Sequence, residues 1–341
     1  MPLTPSPNNK PLISVVIPAF NAANFIAETL DSLQAQTYTH WEAIIVDDQS
    51  TDRTAEIVHA YVAQDARIQY HCLSEKAGRP SVNRNWGMKL SKGAFVTFMD
   101  SDDAYFPTGL ETLITPLLED PLLIATMAFP YYCDSELKPL HVPAQLKEIS
   151  PNHYAYADGY HFSWDPFCKR QQALFVCCTM IRAEVLKQLP PMDENLVTAE
   201  DFKFLIGLLC IGIDRVKQIP TCTYKYRNYA GSLTKSPHNI LNTVDSDIRV
   251  TKWLYSLPQL PQHLKKTRNY HMTHRMVVII SILIRMGEKK LALEAFKVAL
   301  AQKEVYSWIG AKYLSKEVLR LILPKRRNAA YYDAVKKQVA S

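Results

Sequence analysis

The amino-acid sequence predicts an α/β fold, a mainly parallel sheet flanked by helices and followed by an α-helical C-terminal extension. Three observations predict it. Residues 11–120 alternate short β-branched runs with segments of helical periodicity. Two of the strand-like runs end directly on acidic residues, Asp47-Asp48 and Asp100-Ser101-Asp102-Asp103. From Asn239 onward the pattern is helical, in several amphipathic stretches with basic outer faces.

The elements follow in order. Ile13-Ser14-Val15-Val16-Ile17 is a β-branched run closed by Pro18, so it reads as a buried first strand. A helix is expected over 23–36, with Phe25, Ile26, Thr29, Leu30 and Leu33 on one face. A second strand over 41–46 ends at Asp47-Asp48, and Ser50 and Asp52 stand where they can cap a helix over 54–64. Strand 68–73, helix 81–90 and strand 94–99 come next, the last running into Asp100. After Pro121 the pattern loosens. Short strands are expected near 123–129 and 173–182, separated by an aromatic loop over 154–167. An apolar helix over 199–211 opens on Glu200-Asp201, and two strands, 213–219 and 221–226, close the sheet. The resulting division is a disordered N-terminus (1–10), a sheet domain (11–238, in halves 11–120 and 121–238) and a basic helical region (239–341).

Composition excludes several classes. With 48% hydrophobic and 21% charged residues, the 341-residue chain is neither disordered nor collagen-like. Its net charge of +6 is unevenly placed: residues 240–341 hold 19 Lys and Arg against 7 Asp and Glu, leaving 20 against 26 before them. A basic tail beside an acidic body suits an anionic membrane surface, a nucleic acid or solvent, and its helices could instead pack against the sheet domain or a second subunit in a homo-oligomer. It carries no nucleic-acid recognition motif, so no specific nucleic-acid partner is expected. Seven cysteines without a C-x-x-C spacing read as reduced thiols. The N-terminus lacks an apolar signal core, and the apolar stretch 276–283 is too short to span a bilayer. A cytoplasmic protein is expected, peripheral on the inner face of the cytoplasmic membrane if the tail binds there.

The acidic segments carry the chemistry. In an open parallel sheet, ligands bind beyond the carboxyl ends of the strands, where Asp47-Asp48 and Asp100 to Asp103 both fall. Capping the next helix would need one acid; three carboxylates within four residues repel one another unless a cation lies among them. A hard divalent ion sharing oxygen ligands with a diphosphate suits the cluster.

At these residues the sequence resembles the family 2 glycosyltransferases. Ile13-Ser14-Val15-Val16-Ile17-Pro18-Ala19-Phe20-Asn21 is similar to their opening strand and turn, and Val46-Asp47-Asp48-Gln49-Ser50-Thr51-Asp52-Arg53-Thr54 to their nucleotide-binding turn. Gly78-Arg79-Pro80-Ser81-Val82-Asn83-Arg84-Asn85-Trp86-Gly87 resembles the helix before the metal motif, and Asp100-Ser101-Asp102 their D-x-D. The resemblance covers roughly residues 11–235. It implies a GT-A fold of the bacterial surface-polysaccharide type, with a nucleotide-binding half (11–120) and an acceptor half (121–238).

The same resemblance implies roles. Pro18, Ala19, Phe20 and Asn21 would line the nucleotide pocket. Asp48 would accept a hydrogen bond from uracil N3–H of a UDP-sugar donor, or else serve its own turn. Arg84 would pair with the diphosphate. Asp102 would bind Mn²⁺ or Mg²⁺, with Asp100 on the ribose or the metal and Ser101 between them. Thr198-Ala199-Glu200-Asp201-Phe202 resembles the element that supplies the base, with Asp201 first and Glu200 second; helix N-terminal acids favoured by the dipole are the other reading. Arg227 and Ser232, in the loop after the last strand, would reach the phosphates or remain solvated. The aromatic loop, including Tyr154, Tyr160 and Trp164, would stack on sugars or cover the core. The expected activity is inverting, metal-dependent sugar transfer to a glycan or lipid-linked acceptor. A catalytically degenerate nucleotide-binding or scaffold protein is the alternative. A nucleotidyltransferase would show a glycine-rich basic turn after the first strand, and Pro18-Ala19-Phe20-Asn21 is not one.

Overall fold

The computed structural model describes residues 10–140, 160–161, 174–229, 237–266 and 288–300, with Ile280, Leu283 and Ile284. The chain divides into two units. The first comprises residues 1–194 and 200–228, the second 195–199 and 229–341.

In the first unit the chain runs β1 (Ile13–Ala19), α1 (Ile26–Gln34), β2 (Trp41–Asp47), α2 (Thr54–Gln64), β3 (Ile68–Cys72), α3 (Pro80–Leu90) and β4 (Phe95–Phe98). Next come β5 (Ala104–Tyr105), α4 (Gly109–Glu119), β6 (Ala125–Cys133), β7 (Tyr160–His161), β8 (Thr179–Arg182), α5 (Ala183–Leu186), α6 (Glu200–Gly212) and β9 (Val216–Arg227). Among the described residues these strands form one sheet in the order β3-β2-β1-β4-β8-β6-β9-β5, with β7 also on β9. The strands from β3 to β4 are parallel. Antiparallel β8 then joins β4 to β6, which runs parallel to β9.

Chain order explains where the site falls. From β1 the chain moves outward to β2 and β3, then returns to place β4 on the other side of β1. This reversal opens a crevice at the carboxyl ends of β1 and β4. Every residue of β1 and β2 is buried, as expected for central parallel strands of Ile, Val and Ala. Pro18 then limits the β1–β4 ladder. Val16 is level with Phe98, and its carbonyl accepts the Met99 N–H at 3.0 Å. The next bond in that register would need an N–H on Pro18, which proline lacks. Pairing stops there, and the chain after Met99 is released as the acidic loop.

Helix α3 lies directly on this strand. A Cβ on Gly87 would stand 2.3 Å from Val16 Cγ1, so only glycine admits the contact. Pro80 occupies the first turn of α3, where a missing N–H costs nothing.

Two expectations are corrected. The two strands expected over 213–219 and 221–226 are one strand, β9, preceded by a short 3-10 turn at Ile213–Arg215. Pro220 falls inside it, and register shifts against β6 around Phe129 absorb the irregularity. The two-residue β5 was not anticipated; it exists because β9 offers an edge for it. The aromatic loop over 154–167 lies outside the described residues except for Tyr160 and His161, which pair with Gln218 and Lys217 respectively.

The second unit contains α7 (Pro237–Ser256), α8 (Gln262–Lys265) and α9 (Lys289–Leu300), with α9 against α7. Ile248, Leu254, Leu264, Ala292 and Ala295 are buried, while Asp245 and Arg249 pair one turn apart on an exposed face. Most of the helix expected over 271–285 lies outside the described residues. No helix among the described residues is long and apolar enough to cross a membrane.

The α3–β1 contact makes a direct prediction. Gly87→Ala should destabilise the protein by about 1–3 kcal/mol through overpacking against Val16. Urea denaturation checks it. Combining Gly87→Ala with Val16→Ala should cost less than the sum of the two single changes.

Candidate active site

The turns after β1 and β2 are stitched together. Asn21 adopts φ +49°, a conformation asparagine tolerates, and its N–H donates to Ser50 Oγ at 2.8 Å. Its side-chain oxygen accepts the Thr51 N–H at 2.8 Å. The N–H groups of Ala22 and Ala23 donate to Thr54 Oγ1 and Asp52 Oδ2 at 2.8 and 3.0 Å. Asp47 turns inward, accepting from Ser50 and from the Tyr70 hydroxyl. Pro18 and Ala19 end the strand beneath this lattice, and Phe20 stands above it, 43% exposed, with Lys76 Nζ 4.1 Å from its ring centroid.

Asp48 is buried, and its two oxygens accept the N–H groups of Ala77 and Gly78 at 2.5 and 2.6 Å. Gly78 takes φ +66°, which glycine permits. The carboxylate therefore holds the loop before α3 and keeps one further acceptor direction on each oxygen. Asn83, also buried, fastens α3 to β2 by donating to the Val46 carbonyl at 2.7 Å.

The acidic loop is pinned from below. Asp100 N–H donates to the Tyr224 hydroxyl at 2.8 Å, and the Thr29 hydroxyl is shared between the carbonyls of Ser101 and Asp103. Asp102 and Ser101 are half-buried, while Asp103 is 1% exposed. One oxygen of Asp103 accepts the Arg227 N–H at 2.6 Å, and the other is buried without a hydrogen-bond partner. Burial first, then the charges of Asp102 and Asp100, push the Asp103 carboxyl well above the usual range.

Arg227 is turned inward. It is 2% exposed. Its Nε donates to the Asp102 carbonyl at 2.6 Å, and its Nη groups reach Ser135 O and Glu28. The guanidinium lies 4.5 Å from the Phe25 ring centroid. These contacts tie the acidic loop to α1 and to the turn after β6. Ser232 lies outside the described residues.

Arg84 is likewise turned inward. It is buried in α3, with Nη2 2.7 Å from Asp100 and Nη1 2.9 Å from Glu200. Burial disfavours its charge, but the carboxylates of Asp100, Glu200 and Asp201 outweigh burial and keep the guanidinium protonated. Glu200 and Asp201 open α6, immediately after Ala199 at φ +61°. Burial, reinforced by the charge of Asp201 and opposed by Arg84, raises Glu200 to about 7. Asp201 is raised by the same burial, while Arg84 and the Phe202 N–H at 2.7 Å restrain it.

The approach to α6 is also organised by α3. Asn85 donates to the Met192 carbonyl and to Glu194 at 2.9 and 2.8 Å, and accepts the Met192 N–H at 2.8 Å. Lys203 pairs with Asp193 at 2.6 Å. Asn85, Tyr224, Thr29 and Glu28 were given no part in the site from the sequence, because hydroxyl, amide and acid residues at such positions carry no spacing signal. Tyr224 lies 124 residues from the loop that it supports.

The family model described as Glycosyl transferase family 2 matches residues 14–189, just over half of the chain. The chain belongs to glycosyl transferase family 2. Among its family 2 relatives, the uncharacterized glycosyltransferase EpsJ of Bacillus subtilis (strain 168) is 30% identical over 236 residues, covering 67% of this chain and 64% of EpsJ. The chain thus spans less than two thirds of that relative. Similar solved structures include S. aureus TarS residues 1–349 in complex with UDP-GlcNAc, with TM-score 0.59 and 17% identity over 91% of this chain and 89% of that one. The mannosyltransferase PcManGT from Pyrobaculum calidifontis, in complex with GDP-Man and Mn²⁺, gives TM-score 0.57 and 17% identity over 98% and 86%. These likenesses establish the fold as GT-A-like.

The family 2 site also suits a hard cation by its donor set. Asp100 and Asp102 offer carboxylate oxygens on a loop whose backbone is held at several points, and no group of three His, Cys, Asp or Glu among the described residues could hold a metal alone. A cation bound by one or two carboxylates, with phosphate oxygens and water completing its shell, fits that arrangement.

The clamp at Arg227 is testable. Arg227→Ala removes the bonds to Asp102, Ser135 and Glu28 and should cost about 2–4 kcal/mol of stability in chemical denaturation. An exposed arginine changed to alanine, such as Arg53, should cost less than about 0.5 kcal/mol.

Proposed function

We propose that this family 2 glycosyltransferase transfers a sugar from a nucleotide-sugar, with UDP as the expected nucleotide, to a hydroxyl of a glycan or lipid-linked acceptor with inversion. The observation that carries the reading is the arrangement around Arg84. One buried guanidinium contacts both the acidic loop at the end of β4 and the carboxylate pair at the start of α6. Donor-side and acceptor-side acids are therefore held at one end of the sheet. The nucleotide-sugar complexes of TarS and PcManGT support the donor class.

In this reading Pro18 to Asn21 and Asp48 receive the nucleoside, and Asp102 with Asp100 would hold a divalent Mn²⁺ or Mg²⁺. When bound, that cation supplies charge neutralisation of the departing diphosphate. The protein's own step is proton removal. Asp201 accepts the proton of the acceptor hydroxyl, whose oxygen forms a bond to the anomeric carbon. The bond from that carbon to the phosphate oxygen breaks, and the electron pair leaves with the nucleoside diphosphate. A single displacement with one base inverts the anomeric centre. Glu200, bound to Arg84, shares the proton load of the pair.

Two experiments test this. With Mn²⁺ and a panel of nucleotide-sugars, native protein should release nucleoside diphosphate from one donor. Asp102→Ala should lower that rate at least about 100-fold, and an unchanged rate would refute the metal role. The second concerns pH. The base, Asp201, is held above the ordinary carboxylate range by burial and acts when ionised, so turnover should fall as pH drops through that raised midpoint. Glu200→Gln should move that midpoint towards the ordinary carboxylate range, and Asp201→Asn should cost about 10²–10⁴-fold at every pH.

A further inference from the structure

We propose that Arg84 is a positioning residue, a buried bridge that fixes the carboxylate pair of α6 relative to the acidic loop, and that it is not a ligand of the donor diphosphate. The inference rests on the proposed transfer reaction and assigns Arg84 a part in it.

Geometry carries the argument. Both terminal nitrogens of Arg84 are engaged by carboxylates on different elements, Asp100 after β4 and Glu200 at the first turn of α6. These partners lie 16 and 116 residues away in sequence. The side chain is 7% exposed, and Nε is buried without a partner. A phosphate ligand needs terminal donors left for the substrate, whereas each terminal nitrogen of this fork already meets a carboxylate of the protein.

Its platform is built to hold it there. Asn83 fixes one side of the same helical turn to β2, and Asn85 fixes the other to the segment before α6 through Met192 and Glu194. The next turn is seated on Val16 at Gly87. Residues 83, 84 and 85 thus point to three different structural neighbours, β2, the paired acids and the α6 approach. A short piece of α3 sets their relative positions.

Charge sets the same requirement. Asp100, Glu200 and Asp201 all act electrostatically on Arg84, and each would repel the others without it. A lysine keeps the charge but presents one nitrogen, which cannot replace a planar fork between two carboxylates.

The test separates positioning from binding. In Arg84→Lys that retains a cooperative melt, UDP affinity measured by calorimetry with Mn²⁺ should stay within about threefold of native, and donor KM likewise. The kcat for transfer to acceptor should fall about 100-fold. Hydrogen exchange should quicken at the first turn of α6. A tenfold or greater loss of UDP affinity with unchanged kcat, or native exchange at α6, would overturn the proposal. If Arg84→Lys does not fold, Glu200→Gln loosens one arm while leaving the guanidinium in place. Faster exchange at α6 with UDP affinity unchanged supports the bridge, and weaker UDP binding or native exchange overturns it. Absence of transfer by native protein from any donor would refute the transfer reading; the exchange and UDP measurements still judge the bridge.

Discussion

Crowding of negative charge at one end of the sheet is the constraint on which the rest of the first unit depends. Asp100, Asp102, Asp103, Glu200 and Asp201 are brought to the acidic loop and the adjoining start of α6, and several are buried. Two unit charges 4 Å apart interact by roughly 4 kcal/mol at an effective dielectric of 20. A few such repulsions would rival the whole stability of a domain, about 5–15 kcal/mol. The structure answers with two buried arginines and with raised carboxyl pKa values. Arg84 compensates Asp100 and Glu200 directly, while Arg227 binds the backbone of Asp102 and the side chain of Asp103 through its N–H.

Those arginines work only because rigid elements deliver them. Arg84 is carried by α3, which is pressed against β1 at Gly87 and tied to β2 through Asn83. Arg227 ends β9, whose pairing with β5 and β6 brings it beneath the loop. The loop exists because Pro18 withholds the N–H that would have continued the β1–β4 ladder. Packing, backbone chemistry and electrostatics therefore act on the same few residues, and a site with little tolerance for displacement results.

The parallel half was legible in the sequence for a simple physical reason. Central strands must be apolar throughout, and helices between them must alternate with them, so β1, β2, α2 and β3 announce themselves locally. The helix over 54–64 begins and ends where the sequence places it. The later half was less legible because its strands obtain their partners from distant segments. Strand β9 remains single despite Pro220 because β6 can shift register beside it, and β5 has two residues with no pattern of their own.

The sequence by itself determined that this chain would form an α/β sheet with acidic residues at its strand ends, and its motifs pointed to family 2. Side-chain type and spacing within one element are enough for such conclusions. Only the tertiary structure shows which partners the basic residues meet. From the sequence Arg84 was expected to pair with a diphosphate and Arg227 to reach the phosphates or remain solvated, since an arginine near an acidic motif is equally suited to an anion brought by a substrate or to one supplied by the protein. Which anion it meets depends on the direction of the guanidinium. That direction is set by partners more than a hundred residues away, Glu200 for Arg84 and both Glu28 and Asp102 for Arg227. No local pattern encodes such a pairing; it arises when the sheet closes and buried charges must find partners.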